Sequence, residues 1–113
     1  MNVRMIAGLL GLSGALVLST PALAADAAAG EALAKKEGCL KCHAVDKKKE
    51  GTSLKEIAKK YAGKSDAEAK ILHQITAGEK IKLEDGSEEN HKIIKTKDKG
   101  EIDNLIAWIL STK

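Results

Sequence analysis

Apolar residues recur at helical spacing in four stretches of the chain, and a helix-capping residue precedes each stretch. The first predicted helix covers residues 27–37, with Asp26 as its N-cap and Gly38 at its end. The second begins at the capping box of residues 53–56, which read Ser-Leu-Lys-Glu, and it ends before Gly63. Lysines are spread along these stretches and are mixed with acidic residues.

Two further helices follow the same pattern. The third begins at the capping box of residues 65–68, Ser-Asp-Ala-Glu, and ends before Gly78. The fourth begins near Asp98, with Glu101 three residues later, and runs to about Leu110. The apolar face of the second helix consists of Leu54, Ile57, Ala58 and Tyr61, and that of the third consists of Ala67, Ile71, Leu72 and Ile75. The face of the fourth consists of Ile102, Leu105, Ile106 and Ile109, with Trp108 flanking. Four short helices in so short a chain predict a single all-α domain.

The segment between the third and fourth helices, residues 79–97, has a different pattern. Ile81 and Leu83 alternate with charged residues, and Asp85-Gly86 is a turn signal. These features predict a short hairpin whose second strand is residues 92–94, or otherwise an ordered loop. A loop of this length in a small domain usually has a function.

The first 24 residues have the pattern of a cleaved export signal. One positive charge at Arg4 precedes an uncharged apolar stretch, and Ala-Leu-Ala at 22–24 is the small-x-small pattern that a signal peptidase cuts. As a helix, the apolar core at 6–18 would reach roughly 20 Å, short of the roughly 30 Å hydrocarbon layer. We therefore predict a signal peptide at 1–24 and a periplasmic mature domain at 25–113, with an uncleaved membrane anchor as the alternative.

Removing this leader changes the composition of the chain. Met1 and Met5, the two methionines of the sequence, both lie in it, and the loss of Arg4 leaves 18 lysines against 16 acidic residues. Apart from histidine, the aromatic residues that remain are Tyr61 and Trp108. So few aromatic side chains bury only a small core, and a large apolar prosthetic group would supply the missing volume. Lysines mixed with acids, without stacking aromatics, argue against nucleic-acid binding.

The segment Cys39-Leu-Lys-Cys42-His43 is the strongest chemical signal in the sequence. Two cysteine sulfurs at this spacing reach two vinyl groups of one porphyrin, and the adjacent histidine ligates the iron. We therefore predict one covalent haem c held by Cys39, Cys42 and His43, which also fits the export signal. The alternatives are a disulfide, a thioredoxin-like motif, which needs a βαβ context, and a zinc site that includes His73 and His91.

The mature chain resembles the small class I c-type cytochromes over essentially its full length. Residues 30–43 match the first helix and haem motif of that family, 50–56 resemble its Gly-Pro loop, and 105–111 resemble its last helix. The resemblance implies three or more helices around one haem, with the first and last helices crossing. Gly30 would allow this close crossing because it has no Cβ atom.

Two departures from the family pattern affect packing around the haem. The family commonly has an aromatic residue five positions before the first cysteine, where this chain has Ala34, so the helix that carries Trp108 has a smaller partner. The loop proline of the family is replaced by Thr52. The resemblance implies that the backbone carbonyl of Thr52 accepts a hydrogen bond from Nδ1 of His43, a bond that does not require proline.

A third departure concerns the sixth iron ligand, which in the family is usually a methionine before the last helix. The predicted mature chain contains no methionine, and His91 stands where that methionine is expected, 17 residues before Trp108. We therefore predict His43 and His91 as the two metal ligands. His73 is a competitor, although its helical position predicts a solvent-facing side chain. Asn90, Lys92 or a water molecule could also fill the sixth position.

Two imidazole ligands favour ferric iron more than a thioether does, so we expect a low potential, near or below about zero millivolts. No nucleophile has a positioned base, which predicts a one-electron carrier rather than an enzyme. Lys41 and Lys47–Lys49 lie beside the haem motif and form a candidate rim, here called the lysine rim, for transient docking of redox partner proteins.

The sequence is also compatible with two different functions. If the sixth ligand is labile, the chain is a haem protein that binds or senses NO, CO or O2. It is otherwise a relay subunit of a larger oxidoreductase complex. The sequence does not predict the oligomeric state, and the mature chain contains no segment that suggests stable membrane insertion.

Overall fold

The computed structural model describes Gly11, Gly14, Ala15 and residues 25–113. Nearly all of the predicted signal peptide lies outside these described residues, and so does the predicted cleavage site. Within the described part of the chain, no helix has both the length and the apolar character that a membrane crossing requires.

Residues 25–113 form four α-helices and a two-stranded sheet. The helices are α1 (Ala27–Lys36), α2 (Leu54–Tyr61), α3 (Ala67–Thr76) and α4 (Lys99–Ser111), and a 3-10 turn covers Cys39–Lys41. Three N-caps are those that the sequence predicts. The side chains of Asp26, Ser53 and Asp98 accept hydrogen bonds from the N–H groups of Ala29, Glu56 and Glu101.

The third helix departs from the prediction in two respects. It has Asp66 as its N-cap, without a side-chain capping bond, so the predicted capping box at 65–68 is wrong. The Asp66 carboxylate instead pairs with Lys70, 3.2 Å away and one turn further on. Leu72 was predicted on the apolar face but is 41% exposed, because α3 turns only Ala67, Ile71 and Ile75 inward.

The predicted hairpin is present, but its second strand differs from the prediction. Strand β1 (Lys80–Lys82) pairs antiparallel with β2 (Glu88–Asn90), and Ile81 lies opposite Glu89. The chain turns tightly around Gly86, whose φ of 84° favours glycine, so pairing starts directly after the turn. The predicted strand at 92–94 therefore lies beyond the ladder.

Instead of pairing as a strand, the 92–94 segment contributes to the core. Ile94 is buried, and its N–H donates to the carbonyl of Ile75 at the end of α3 over 3.0 Å. The fold is thus mostly helical with a small sheet, which confirms the predicted fold class apart from that sheet.

The first and last helices cross at a glycine. A Cβ atom at Gly30 would collide with the backbone of Asn104 and lie 2.8 Å from Cβ of Trp108. The crossing that the family resemblance implies is therefore confirmed, and it depends on the missing side chain. Trp108, predicted to flank the core, is buried in the same apolar cluster as Ala34 and Leu105.

Candidate functional site

A cavity of about 740 Å³ opens beside the 3-10 turn. Its walls include residues of α2, the hairpin and the segment that follows the hairpin. Its lining includes the buried apolar residues Leu54, Ile71, Ile75, Ile94, Leu105, Trp108 and Ile109. Apolar walls around a few polar groups are typical of a site for a large, mostly apolar ligand.

The haem motif lies at one side of this cavity. Gly38, with φ of 77°, ends α1 and starts the 3-10 turn, and the N–H of His43 donates to the carbonyl of Cys39 over 3.0 Å. Both cysteine side chains line the cavity, so the local turn presents the two sulfurs and the imidazole to the same space. This arrangement is what thioether attachment and ligation require of the motif.

The two thiols are unpaired, and the pKa of each is raised. Burial raises the pKa of the Cys39 thiol, and the nearby Glu37 carboxylate raises it further. Burial also raises the pKa of Cys42, as does the hydrogen bond that its Sγ donates to Glu50 over 3.6 Å. The pair forms no disulfide, and the described elements include no βαβ unit, so the thioredoxin-like alternative is disfavoured.

His43 is oriented by the backbone of the following loop. Its Nδ1 lies 2.6 Å from the carbonyl oxygen of Thr52, as the resemblance implies. Since a carbonyl only accepts, Nδ1 carries the proton and Nε2 of the neutral ring keeps its lone pair. A Cβ atom at Gly51 would lie 2.9 Å from Cε1 of His43, so only glycine lets the loop approach the ring this closely.

His91 follows β2 and lines the cavity opposite His43. Its N–H donates to the carbonyl of Glu79 over 2.8 Å, and its Nδ1 donates to the carbonyl of Lys92 over 2.9 Å. The ring centroids of His43 and His91 are 6.2 Å apart, with planes inclined by 41°. In both rings the Nδ1 atom is used in a backbone hydrogen bond, so each Nε2 is free to act as a ligand.

The remaining candidates for the sixth ligand have different surroundings. His73 is 60% exposed on α3 and lies outside the cavity lining, where its Nε2 contacts Oε1 of Glu79 at 2.7 Å. Asn90 and Lys92 line the cavity, but Nζ of Lys92 donates to the backbone carbonyl of Glu37. Among the described residues no three His, Cys, Asp or Glu side chains converge on a metal-ion site, which disfavours the zinc alternative.

The donors around the cavity fit a haem. A metal–imidazole bond is about 2.0 Å, and a ring nitrogen lies about 1.1 Å from its centroid, so rings ligating one metal from opposite sides have centroids about 6 Å apart. The separation of the two rings, 6.2 Å, agrees with that value. The unpaired sulfurs and the apolar walls match a porphyrin attached through thioethers.

Two residues near the site were not predicted. Gly51 lies within the loop that resembles the family, but nothing in the sequence indicates that a side chain there would strike His43. Glu37 is 4% exposed and accepts hydrogen bonds from the N–H groups of Lys95 and Thr96. In the sequence it follows two lysines and resembles part of a solvated helix face, so its burial has no local signal.

Comparison with known proteins gives concordant matches. The family model described as cytochrome c matches residues 27–113. Cytochrome c2 of Rhodocyclus tenuis is 37% identical over 83 residues, which is 73% of this chain and 90% of that protein. The solved structure of the class 1 cytochrome MtoD from Sideroxydans lithotrophicus ES-1 superposes with a TM-score of 0.74 at 52% identity, covering 79% of this chain and 98% of that one.

A second solved structure agrees with these matches. Cytochrome c552 of Nitrosomonas europaea superposes with a TM-score of 0.58 at 32% identity, covering 74% of this chain and 99% of that one. The family match spans all four helices, the haem motif and the hairpin. The chain therefore belongs to the cytochrome c family and, within it, to the class I mono-haem electron carriers, which hold one covalently attached haem c.

Proposed function

We propose that the chain is exported to the periplasm, loses residues 1–24, and carries single electrons at low potential with His43 and His91 as axial ligands. The observation that carries this proposal is the pair of imidazole rings whose centroids lie 6.2 Å apart across the cavity. Both rings keep Nε2 available because their Nδ1 atoms donate to backbone carbonyls.

Each residue of the site has a defined task in this proposal. A bound haem c supplies an iron that changes reversibly between two oxidation states. Cys39 and Cys42 would hold the porphyrin through thioether bonds, while the carbonyls of Thr52 and Lys92 fix the orientation of the two imidazoles. With His43 and His91 as ligands, the iron would have no position left for a substrate, which supports a carrier rather than an enzyme.

The proposed potential follows from the ligand set. Two imidazoles donate more electron density than an imidazole and a thioether, and they stabilise the ferric form. The predicted mature chain has no methionine to compete for the iron. We therefore expect a potential near or below about zero millivolts, lower than that of methionine-ligated relatives.

Docking of redox partners is proposed to use part of the lysine rim. Nζ of Lys48 pairs with Glu84 at 3.7 Å, and Nζ of Lys49 donates to the carbonyl of Leu40 over 3.0 Å. Lys41 and Lys47 form no ion pair with any described residue and are exposed. These two lysines are therefore the better candidates for contact with an acidic partner surface.

The spectrum of purified ferric protein tests the ligation. We expect a low-spin parent and a high-spin His91→Ala variant, because the substitution removes one strong-field ligand. His73→Ala is the matched control and should remain low-spin, since His73 is exposed and outside the cavity. A low-spin spectrum that survives in His91→Ala would contradict the proposal.

Carbon monoxide separates the carrier from the gas-binding alternative. We expect slow or absent CO binding to the reduced parent, because His91 occupies the position that CO needs. Rapid CO binding to the parent would instead support a gas-binding protein.

Mass spectrometry of the exported product tests the leader, with a mature chain that begins at about Ala25 and carries one haem as the expected result.

A further inference from the structure

A buried carboxylate connects the two halves of the proposed haem site. Glu37 is the C-cap of α1, two residues before Cys39, and its side chain is 4% exposed. Its Oε2 accepts a hydrogen bond from the N–H of Lys95 over 2.9 Å, and its Oε1 accepts a longer one from the N–H of Thr96 over 3.4 Å. A carboxylate is seldom buried unless such donors compensate its lost hydration.

The backbone of the same residue provides a third link. Nζ of Lys92 donates to the carbonyl oxygen of Glu37 over 2.5 Å, so residues 92, 95 and 96 are all bonded to this one position. Glu37 thereby joins the turn that carries His43 to the segment that begins with His91. This segment has further links elsewhere, from His91 to Glu79 and from Ile94 to Ile75.

We infer that Glu37 is a positioning residue that keeps His91 in place as the sixth ligand and closes that position to external ligands. The inference rests on the proposed function, since it requires His91 to be a ligand. Removing the carboxylate leaves two N–H groups of the 91–96 segment without their partner. The segment then moves away more often, and the fraction of molecules with His91 displaced increases.

The test measures CO binding to the reduced holoprotein. Because CO binds only when the sixth position is open, its observed rate reports the displaced fraction. We expect Glu37→Ala to bind CO about tenfold faster than the parent, which corresponds to about 1.4 kcal/mol. Glu37→Gln keeps an acceptor oxygen for the N–H of Lys95 and should fall between the two.

Glu31→Ala is the matched control. It removes the same charge from the same helix, but Glu31 pairs with Lys35 on the solvent side of α1. We expect its CO rate to equal that of the parent, with every variant measured where circular dichroism shows it fully folded. An unchanged rate in Glu37→Ala, or an equal increase in Glu31→Ala, would overturn the inference.

A second pair of variants decides the matter if Glu37→Ala does not fold. Lys92→Ala removes one link to Glu37 and leaves the buried carboxylate in place, so we expect a roughly threefold faster CO rate. Lys95→Ala removes the same charge three residues away, and the link of Lys95 to Glu37 is made by its backbone N–H, which the substitution keeps. Equal rates in these two variants would overturn the inference.

The ferric spectrum of His91→Ala separates this inference from the proposed function. If that variant stays low-spin, His91 is not the ligand, and both the ligation and the role of Glu37 fail together. If it becomes high-spin while Glu37→Ala binds CO no faster than the parent, the ligation stands and only the role of Glu37 is wrong.

Discussion

At the scale of single residues, the contacts around His43 show how little the threonine side chain matters. The hydrogen bond to Nδ1 uses the backbone carbonyl of Thr52, while the close approach of the loop depends on Gly51 having no Cβ atom. The N–H of Gly51 also donates to the carbonyl of Cys42 over 2.8 Å, which fixes the loop beneath the ring. The missing side chain of Gly51 therefore matters more for the position of His43 than the side chain of Thr52 does.

Substitution of these two neighbours tests that difference. A Cβ atom in Gly51→Ala would lie 2.9 Å from Cε1 and 3.1 Å from Nδ1 of His43, so ring or loop must shift. We expect a loss of about 1–3 kcal/mol in the free energy of unfolding, because overpacking and a strained hydrogen bond act together. Chemical denaturation followed by the Soret band measures it.

Thr52→Ala is the companion variant. It keeps the carbonyl and lies at an exposed position, so we expect a change within about 0.5 kcal/mol of the parent. If Thr52→Ala were the more destabilising substitution, the threonine side chain would be what holds the histidine, contrary to the geometry described above.

At the scale of elements, local capping signals predicted the helices well, while the pairing of the second strand and the rotation of α3 were not predicted. Three of four N-caps follow from residues adjacent to the helix start, because a cap depends only on its own turn. The second strand was wrong because β pairing depends on where the turn closes, and the hairpin turn closes around Gly86. Leu72 was misassigned because the exact rotation of α3 is fixed by packing against its neighbours.

The candidate site also contains both features that were predicted and a feature that was not. Cys39, Cys42 and His43 are adjacent in the sequence and form a recognisable motif, and the expected hydrogen bond to Thr52 is present. The burial of Glu37 depends on a segment more than fifty residues later in the chain, and no local pattern reports such a contact. The proximity of His91 to His43, with ring centroids 6.2 Å apart, was expected from the position of the methionine in the family that the chain resembles, not from a local motif.

At the crossing of α1 and α4, helix propensity and packing predict opposite effects of Gly30→Ala on stability. In an ordinary helix, replacing glycine by alanine stabilises by about 0.5–1 kcal/mol. Gly30→Ala should instead destabilise by about 1–3 kcal/mol, because the new Cβ atom meets the backbone of Asn104 and Cβ of Trp108. Thermal unfolding measured by circular dichroism shows whether the variant is less or more stable than the parent.

The exposed Ala32 in the same helix provides the control. Ala32→Gly should lower the free energy of unfolding by about 1 kcal/mol, as helix propensity alone predicts, since the side chain of Ala32 is exposed to solvent. A stabilised Gly30→Ala variant would mean that the helices do not approach each other as closely as described.

At the scale of the whole molecule, charge distribution governs encounters with other proteins. Lysines and acids are nearly balanced along residues 25–113, so a docking surface has to come from a local excess of charge rather than from net charge. We expect Lys41 and Lys47 to contribute to such a surface beside the haem motif, because Lys48 is paired with Glu84 and Nζ of Lys49 donates to a backbone carbonyl.

The rate of electron transfer to ferricyanide, an anionic probe, tests this surface. We expect the rate of the reduced parent to fall as ionic strength rises, because salt screens the attraction. Lys41→Glu should lower both the rate at low salt and its salt dependence. Lys113→Glu, which makes the same charge change at the C-terminus, should have a smaller effect. Equal effects of the two substitutions would show that only net charge matters.

The main-chain carbonyl beneath His43 has a consequence for how such a protein changes during evolution. Every amino acid offers the same oxygen at that position, so exchanging proline for threonine leaves the imidazole held as before. We therefore expect substitutions at residue 52 to be tolerated as long as the route of the polypeptide past the ring is preserved. Related proteins can therefore differ in the amino acid at this position and still hold the histidine through the same carbonyl oxygen.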